Sequence, residues 1–224
     1  MGALTVQDFI TRVSRQFGDE AQAQVTTDDI TNWINDAVRE IVAQNNLLQK
    51  QASANTVVGQ SQYSLPDDVL RFRRVAYNGI SLRPITIEEA DELIPDHSET
   101  TAQGLPTGTS THYWIFAGQI NLYPTPDQSV TNGLILYYTK LPTPVVATTD
   151  IPETPAEYDN RILEFCLGQA FELDMNTTMM QVKNTQFQQG VDRLKGNSEW
   201  ENQEFYPNVT MVQEYPQDIV GGAY

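Results

Sequence analysis

The sequence predicts an α+β chain: an antiparallel helical bundle with an inserted small antiparallel β domain and an extended C-terminal arm. Three observations predict it. Apolar residues recur at three- and four-residue spacing up to Leu48 and again from Thr154 to Leu194. From Gln49 the period changes to short runs rich in β-branched and aromatic residues, separated by turn dipeptides. After Gly196 no period survives, yet the aromatics continue. The expected boundaries are residues 1–50 for an N-terminal helical hairpin, 51–150 for the β domain, 151–196 for the C-terminal helices and 197–224 for the arm.

Taken in order, Thr5 opens a first helix with Val6, Phe9, Ile10, Val13 and Phe17 on one stripe, and Gly18 stops it. A polar link leads to a second helix, capped by Thr27 or Asp28. Its stripe runs through Ile30, Trp33, Ile34, Ala37, Val38, Ile41 and Val42 to Leu48. Two amphipathic helices joined by a short link pack as an antiparallel hairpin. The stretch QKQASANTVVGQSQ reads as polar loop. Strands follow at QYSLP, VLRFRRVAY and ISLRPI, with Asn78-Gly79 as a hairpin turn. Thr86 and Glu89 form a capping box opening the short helix ITIEEADELI. After a stretch rich in Gly, Pro, Ser and Thr come HYWIFA, QINLYP and GLILYYTK, expected as antiparallel neighbours with a turn at Gly118-Gln119. A proline-punctuated linker then returns to the helices.

The helix from Thr154 to Asp174 is the expected centre of the bundle. Thr154, Pro155 and Glu157 make a capping box with proline at N1, and apolar residues behind them cover more than one face. The last helix carries Met180, Phe187, Val191 and Leu194, with Gly190 weakening it and Gly196 ending it.

With 224 residues, 40% of them hydrophobic, the chain can build a packed core. Its net charge of -16 argues against phosphate-backbone binding, which rests on Lys and Arg, or serves only solubility. The single cysteine, Cys166, excludes an intrachain disulfide and suits a buried small hydrophobe. The N-terminus lacks a signal-peptide core, Val6 breaks the myristoylation pattern, and no window offers the ~18 apolar residues of a membrane span. A soluble protein of a reducing compartment is expected, with no cofactor and no membrane partner.

Catalytic constellations are weak. Glu88, Glu89, Asp91 and Glu92 crowd one short helix, but such a run reads as a solvated face unless a carboxyl is buried with a raised pKa. His97 and His112 share no metal-ligand spacing with Cys166. The strand aromatics Tyr113, Trp114, Phe116, Tyr123, Tyr137 and Tyr138 suit either a sugar-stacking platform or core and cross-strand pairs. Arg71, Arg73 and Arg74 form a basic cluster in an acidic chain, either guarding a strand edge or meeting an acidic neighbouring subunit.

The order of these parts resembles the head-to-tail adaptor, or connector, proteins of tailed bacteriophages, including the tail tubular protein A of short-tailed phages. ITNWINDAVREI, YSLPDDVLRFRRVAYNG, GLPTGTSTHYWIFAGQINLYPTPD, GLILYYTKLPTP and the run from IPETPAEYDNRILEFCLGQAFELD to FQQGVDRLK carry the likeness, from about Leu4 to Lys195. The resemblance implies a structural virion protein without enzymatic activity. It implies a homo-oligomeric ring of roughly twelve copies beneath the portal, built by heterologous contacts. The portal protein, a nozzle or tail-completion protein, and passing DNA are the implied partners, in a neck assembled in the host cytoplasm. Aromatics supply much of the energy at interfaces. The expected portal arm therefore carries Trp200, Phe205, Tyr206, Met211, Tyr215 and Tyr224. Arg71, Arg73 and Arg74 against Glu88, Glu89 and Glu92 are the expected opposed subunit surfaces. Two alternatives stay open: a wall-degrading glycosidase, and a carbohydrate-binding module.

Overall fold

The computed structural model describes residues 3–93 and 106–202, with side chains described up to residue 195. Among these residues the chain is α+β, with five α-helices and largely antiparallel sheets.

Helix α1 (Val6–Phe17) starts at a capping box in which Thr5 Oγ1 accepts from Asp8 N–H while the Asp8 carboxylate accepts from Thr5 N–H. It ends at Gly18, whose φ of 89° is the left-handed conformation that glycine adopts most readily. Helix α2 (Thr27–Asn45) repeats the device one residue before the expected cap: Thr26 and Asp29 make the box. It stops at a left-handed Asn46, short of Leu48.

The central helix starts differently from the sequence expectation. The Thr154–Glu157 capping box does not form. The Thr154 hydroxyl is buried without a hydrogen-bond partner, and Pro155 leads into a single 3-10 turn at Ala156–Tyr158. Helix α4 (Asp159–Leu173) begins only after it. The cause is tertiary: Tyr158 is fully buried and its hydroxyl accepts from Asn45 Nδ2 at 3.1 Å, so the turn is shaped by this anchor. Helix α5 (Thr177–Asn202) runs past Gly196 instead of ending there.

Helices α1, α2, α4 and α5 share one core, in which Phe9, Ile34, Ile41, Ile162, Leu167 and Val191 are almost wholly buried. Each such side chain contributes about 1.5–3 kcal/mol relative to an exposed one. Cys166 lies in the middle of this core, where burial pushes its thiol far above its ordinary pKa. Leu4 N–H donates to Asp159 at one end of α1 and α4, and Phe17 meets Phe171 at the other, so these helices run parallel. The ends of α4 and α5 fix an antiparallel pair. Asn184 sits against Gly168 and Arg161 lies across Gly190, so a Cβ at either glycine would collide with them.

The strands form two four-stranded sheets, in the orders β1-β10-β3-β4 and β2-β8-β7-β5. The first contains β1 (Gln49–Thr56), β3 (Val69–Tyr77), β4 (Ile80–Ser81) and β10 (Val130–Lys140). The second contains β2 (Gln62–Ser64), β5 (Arg83–Pro84), β7 (His112–Phe116) and β8 (Gln119–Tyr123), with a parallel β5–β7 pairing. A two-residue parallel pair, β6 (Thr107–Gly108) with β9 (Thr125–Pro126), stands apart. Tyr63, Val75, Tyr77, Tyr113, Ile120, Leu122, Leu134 and Leu136 from both sheets enclose a second core.

Three sequence expectations change here. The polar stretch from Gln49 is a strand, β1, rather than loop. Its outer residues are polar and its core-facing ones are only Ala52 and Ala54, so the alternation is too faint to read. The segment after β8 does not return to β8: it crosses to the other sheet, where β10 pairs with β1 and β3. The β7–β8 turn falls at Ala117-Gly118, both with positive φ. The Asn78-Gly79 hairpin is as expected, with φ of 47° and 81°.

The linker 141–155 has no regular structure, yet it is fixed to the helices. Asn35 donates to Val145 O and accepts from Val145 N–H at 3.0 and 2.8 Å. Val6 and Gln7 N–H at the start of α1 donate to Asp150 O and Thr148 O.

Candidate functional site

The arginine cluster owes its arrangement to two bulges in β3. Strict alternation would place Arg71 and Arg73 on one face and Arg74 on the other. The register instead skips between Phe72↔Tyr138 and Arg74↔Tyr137, and again between Val69↔Lys140 and Arg71↔Thr139. Val69, Phe72 and Val75 therefore all pack on the strand core despite their spacing of three, while Leu70 packs against the helical core. All three arginines are exposed; Arg71 and Arg74 pair in register with Thr139 and Tyr137, which share one face of β10, and Arg73 is the residue skipped at a bulge.

Arg74 lies over the Tyr137 ring at 5.6 Å, a cation–π contact, and Arg71 donates to Asn46 Oδ1 at 3.2 Å. Neither contact neutralises the charge. Other cations are matched to carboxylates: Lys50 to Asp68, Lys140 to Glu153 and Arg161 to Glu164, each at 2.8 Å. Among the described residues, no ion pair joins Arg71, Arg73 or Arg74 to any acid.

The acidic counterpart is helix α3 (Ile87–Leu93). Glu89 and Thr86 form the expected capping box, with the Glu89 carboxylate accepting from Thr86 N–H at 2.8 Å. Ala90 alone is buried, against Trp114 of β7, which turns Glu88, Glu89 and Glu92 to solvent. Hydrogen bonds at this first turn hold the Glu88 carboxyl below its ordinary range. The structure does not bring the two clusters together: the arginines lie on the first sheet and the acids on a helix against the second.

The strand aromatics divide. Tyr113, Trp114 and Tyr138 are buried, Tyr123 and Tyr137 are half-buried, and Phe116 is exposed beside the β7–β8 turn. A continuous stacking platform is therefore not assembled from them. His112 exchanges a hydrogen bond with Thr111, and His97 lies outside the described residues. Among the described residues, no group of three His, Cys, Asp or Glu side chains is placed to hold a metal ion. None of their helices is long and apolar enough to cross a membrane.

Sequence reasoning missed one feature, a cleft of about 490 Å³ between α4 and α5 lined by Glu157, Arg161, Glu164, Gln186, Gly190 and Arg193 among others. Burial pushes the Glu164 carboxyl up, opposed by Arg161 and Lys183. A buried carboxyl with a raised pKa is half of what glycoside hydrolysis requires. Here the carboxylate is engaged at 2.8 Å by Arg161, which also donates to Gln186 O and fills the space left by Gly190. That ties the group to helix packing. Of the six arm residues, Trp200 falls in α5 at a position whose side chain is not described; Phe205, Tyr206, Met211, Tyr215 and Tyr224 lie outside the described residues.

No curated protein matches the chain. The SU10 adaptor protein family does match, over residues 4–210, which is nearly its whole length. With that match the chain belongs to the SU10 adaptor protein family, the structural adaptor proteins of bacteriophages.

Proposed function

We propose that this protein is a non-enzymatic head-to-tail adaptor, one subunit of a ring of roughly twelve copies that sits beneath the portal and receives the tail. Helices of residues 1–50 and 151–196 form the ring wall as an antiparallel bundle, and the inserted β unit of 51–150 faces the nozzle or tail-completion protein. The arm of 197–224 engages the portal through Trp200, Phe205, Tyr206, Met211, Tyr215 and Tyr224. DNA passes the acidic interior without sequence-specific binding and is not retained, because so few cations face its phosphates. The assembly site is the host cytoplasm and the destination the virion neck. The narrower likeness to tail tubular protein A belongs to the same reading.

The observation that carries it is the pair of exposed, opposite charges. Among the described residues, Arg71, Arg73 and Arg74 of β3 join no acid in an ion pair, and Glu88, Glu89 and Glu92 of α3 are exposed. A ring built head to tail needs two different surfaces of this kind on each subunit.

A charge swap tests it. Arg73→Glu with Arg74→Glu should abolish assembly on the portal. Adding Glu88→Arg and Glu92→Arg in the same chain should restore it, with Glu89 left in place to cap α3. Restoration failing while both variants stay folded would remove these surfaces from the contact.

A further inference from the structure

The corner between α4 and α5 breaks three local preferences at once. Its backbone makes a Schellman stop: Met175 N–H donates to Glu172 O at 3.0 Å and Asn176 N–H to Phe171 O at 2.9 Å. This stop sets Met175 in the left-handed region, with φ of 55°, where glycine is the usual residue. The end of α4 carries Glu172 and Asp174, although the negative end of a helix dipole favours cations. Asn176 then caps α5, its Oδ1 accepting from Met179 N–H at 3.2 Å. An apolar residue just before such a cap often packs back onto the helix, yet Met175 is 88% exposed. Departures from local preference concentrate where a protein meets something else.

Met175 does not stand alone. Leu173 continues the buried stripe of Ile162, Cys166 and Ala170, but it is 58% exposed. The reason is its place beyond Phe171, which already meets Phe17, the last residue of α1. Met179 and Val182 share a side of α5 turned away from the buried Phe187 and Val191, and both are exposed. Single exposed apolar residues are ordinary, whereas four within ten residues at one corner mark an interaction surface. Two of the four are methionines, whose flexible side chains suit recognition.

The corner stands at the end of the bundle opposite the strands. Strand β1 departs from the end of α2, and Lys140 N–H at the end of β10 donates to Leu48 O. Tyr158, just before α4, bonds Asn45 on that same side. Leu173 lies a whole α4 away, about 22 Å along the axis. The far end is acidic as well as apolar. Glu20 and Asp28, exposed at the α1–α2 connection, join Glu172 and Asp174 there, and Arg15 in the last turn of α1 offsets one charge. Neighbours in a ring meet along their sides, while an end surface faces the component stacked on the ring. With the strand end given to the tail protein, this end is left for the portal.

We propose that the α4–α5 corner, with Met175 as its anchor, docks on a portal segment that carries apolar side chains edged by Lys or Arg. The inference rests on the adaptor reading and adds a rigid contact to that of the arm of 197–224. It accounts for all three broken preferences. A side chain already held outward by its backbone loses little freedom on docking, and acids at the rim steer a basic partner.

Two substitutions that local chemistry favours test it. Met175→Gly puts glycine in the left-handed position, and Asp174→Lys puts a cation at the end of α4. Both variants should melt no lower than wild type and yet bind the portal ring of the same phage less well. Met175→Gly should lose about tenfold or more in affinity, and Asp174→Lys should show a loss that shrinks as salt rises. Affinity is read with portal rings in excess, so that a bound subunit has no bound neighbour. Wild-type affinity in Met175→Gly would overturn the proposal, and an absent or salt-independent effect of Asp174→Lys would overturn its basic partner. A lower melting temperature in Met175→Gly would also overturn it, because the side chain would then serve the packing of the corner itself. So would a defect confined to filled rings, since the patch would then meet a second copy. Wild-type protein that never binds the portal would remove the adaptor reading, and this inference with it.

Discussion

Asn35 shows how much one side chain can organise. Its amide satisfies both the N–H and the C=O of Val145, so the irregular linker is held to α2 as a strand would hold its neighbour. Asn35→Ala should cost about 1–3 kcal/mol, since two backbone groups lose their partners in a partly buried place. A urea titration should show a lower midpoint and an unchanged slope. Asp159 makes a pH-dependent case. Burial pushes its carboxyl up, against the lowering effects of the Leu4 N–H and the Arg12 charge. A carboxyl with a raised native pKa holds its proton more tightly folded than unfolded. Native stability therefore falls as pH rises from the ordinary carboxylate range through the raised value. Asp159→Asn, which keeps an acceptor for Leu4, should lack that fall. Its stability relative to wild type should rise across the window and then level off, as unfolding midpoints taken between about pH 4 and pH 7 would show.

At the level of elements, legibility in the sequence followed local chemistry. Helix α1, the α3 capping box and the Asn78-Gly79 hairpin were readable because a few adjacent residues determine them. The bulges were also written in the chain: Val69, Phe72 and Val75 are three apart, which a regular strand cannot bury together. The start of α4 was not readable. A local capping box lost to the burial of Tyr158, whose partner Asn45 lies 113 residues away. Strand β1 and the β8-to-β10 crossover were hidden for the same reason, since their sheet partners are distant in sequence. Gly190 is the most instructive element-level residue. Helix propensity alone predicts that Gly190→Ala stabilises α5 by about 1 kcal/mol. A Cβ there would displace Arg161, which donates to Gln186 O and forms an ion pair with Glu164, so the substitution should instead lower stability. Calorimetry of the variant decides the sign.

For the whole molecule, the opposed charges matter more than the net charge of -16. In the proposed ring, the acidic surface keeps free subunits apart, and the exposed arginines of β3 are the proposed point at which association begins. The candidate site was legible as residue types but not as a site: only the fold shows that the bulges bring Arg71 and Arg74 to one face and that α3 packs on the other sheet. Removing residues 203–224 should leave the helical core and its melting transition in place, because that core is complete among the described residues, while binding to the portal is lost. A truncated protein that still binds would place the portal contact elsewhere.

Native mass spectrometry of the purified protein, alone and mixed with the portal ring of the same phage, tests the adaptor reading most directly. The account predicts that subunits add to the portal in one fixed multiple, giving the copy number of the ring. A protein that stays unbound, or adds in variable numbers, would contradict it.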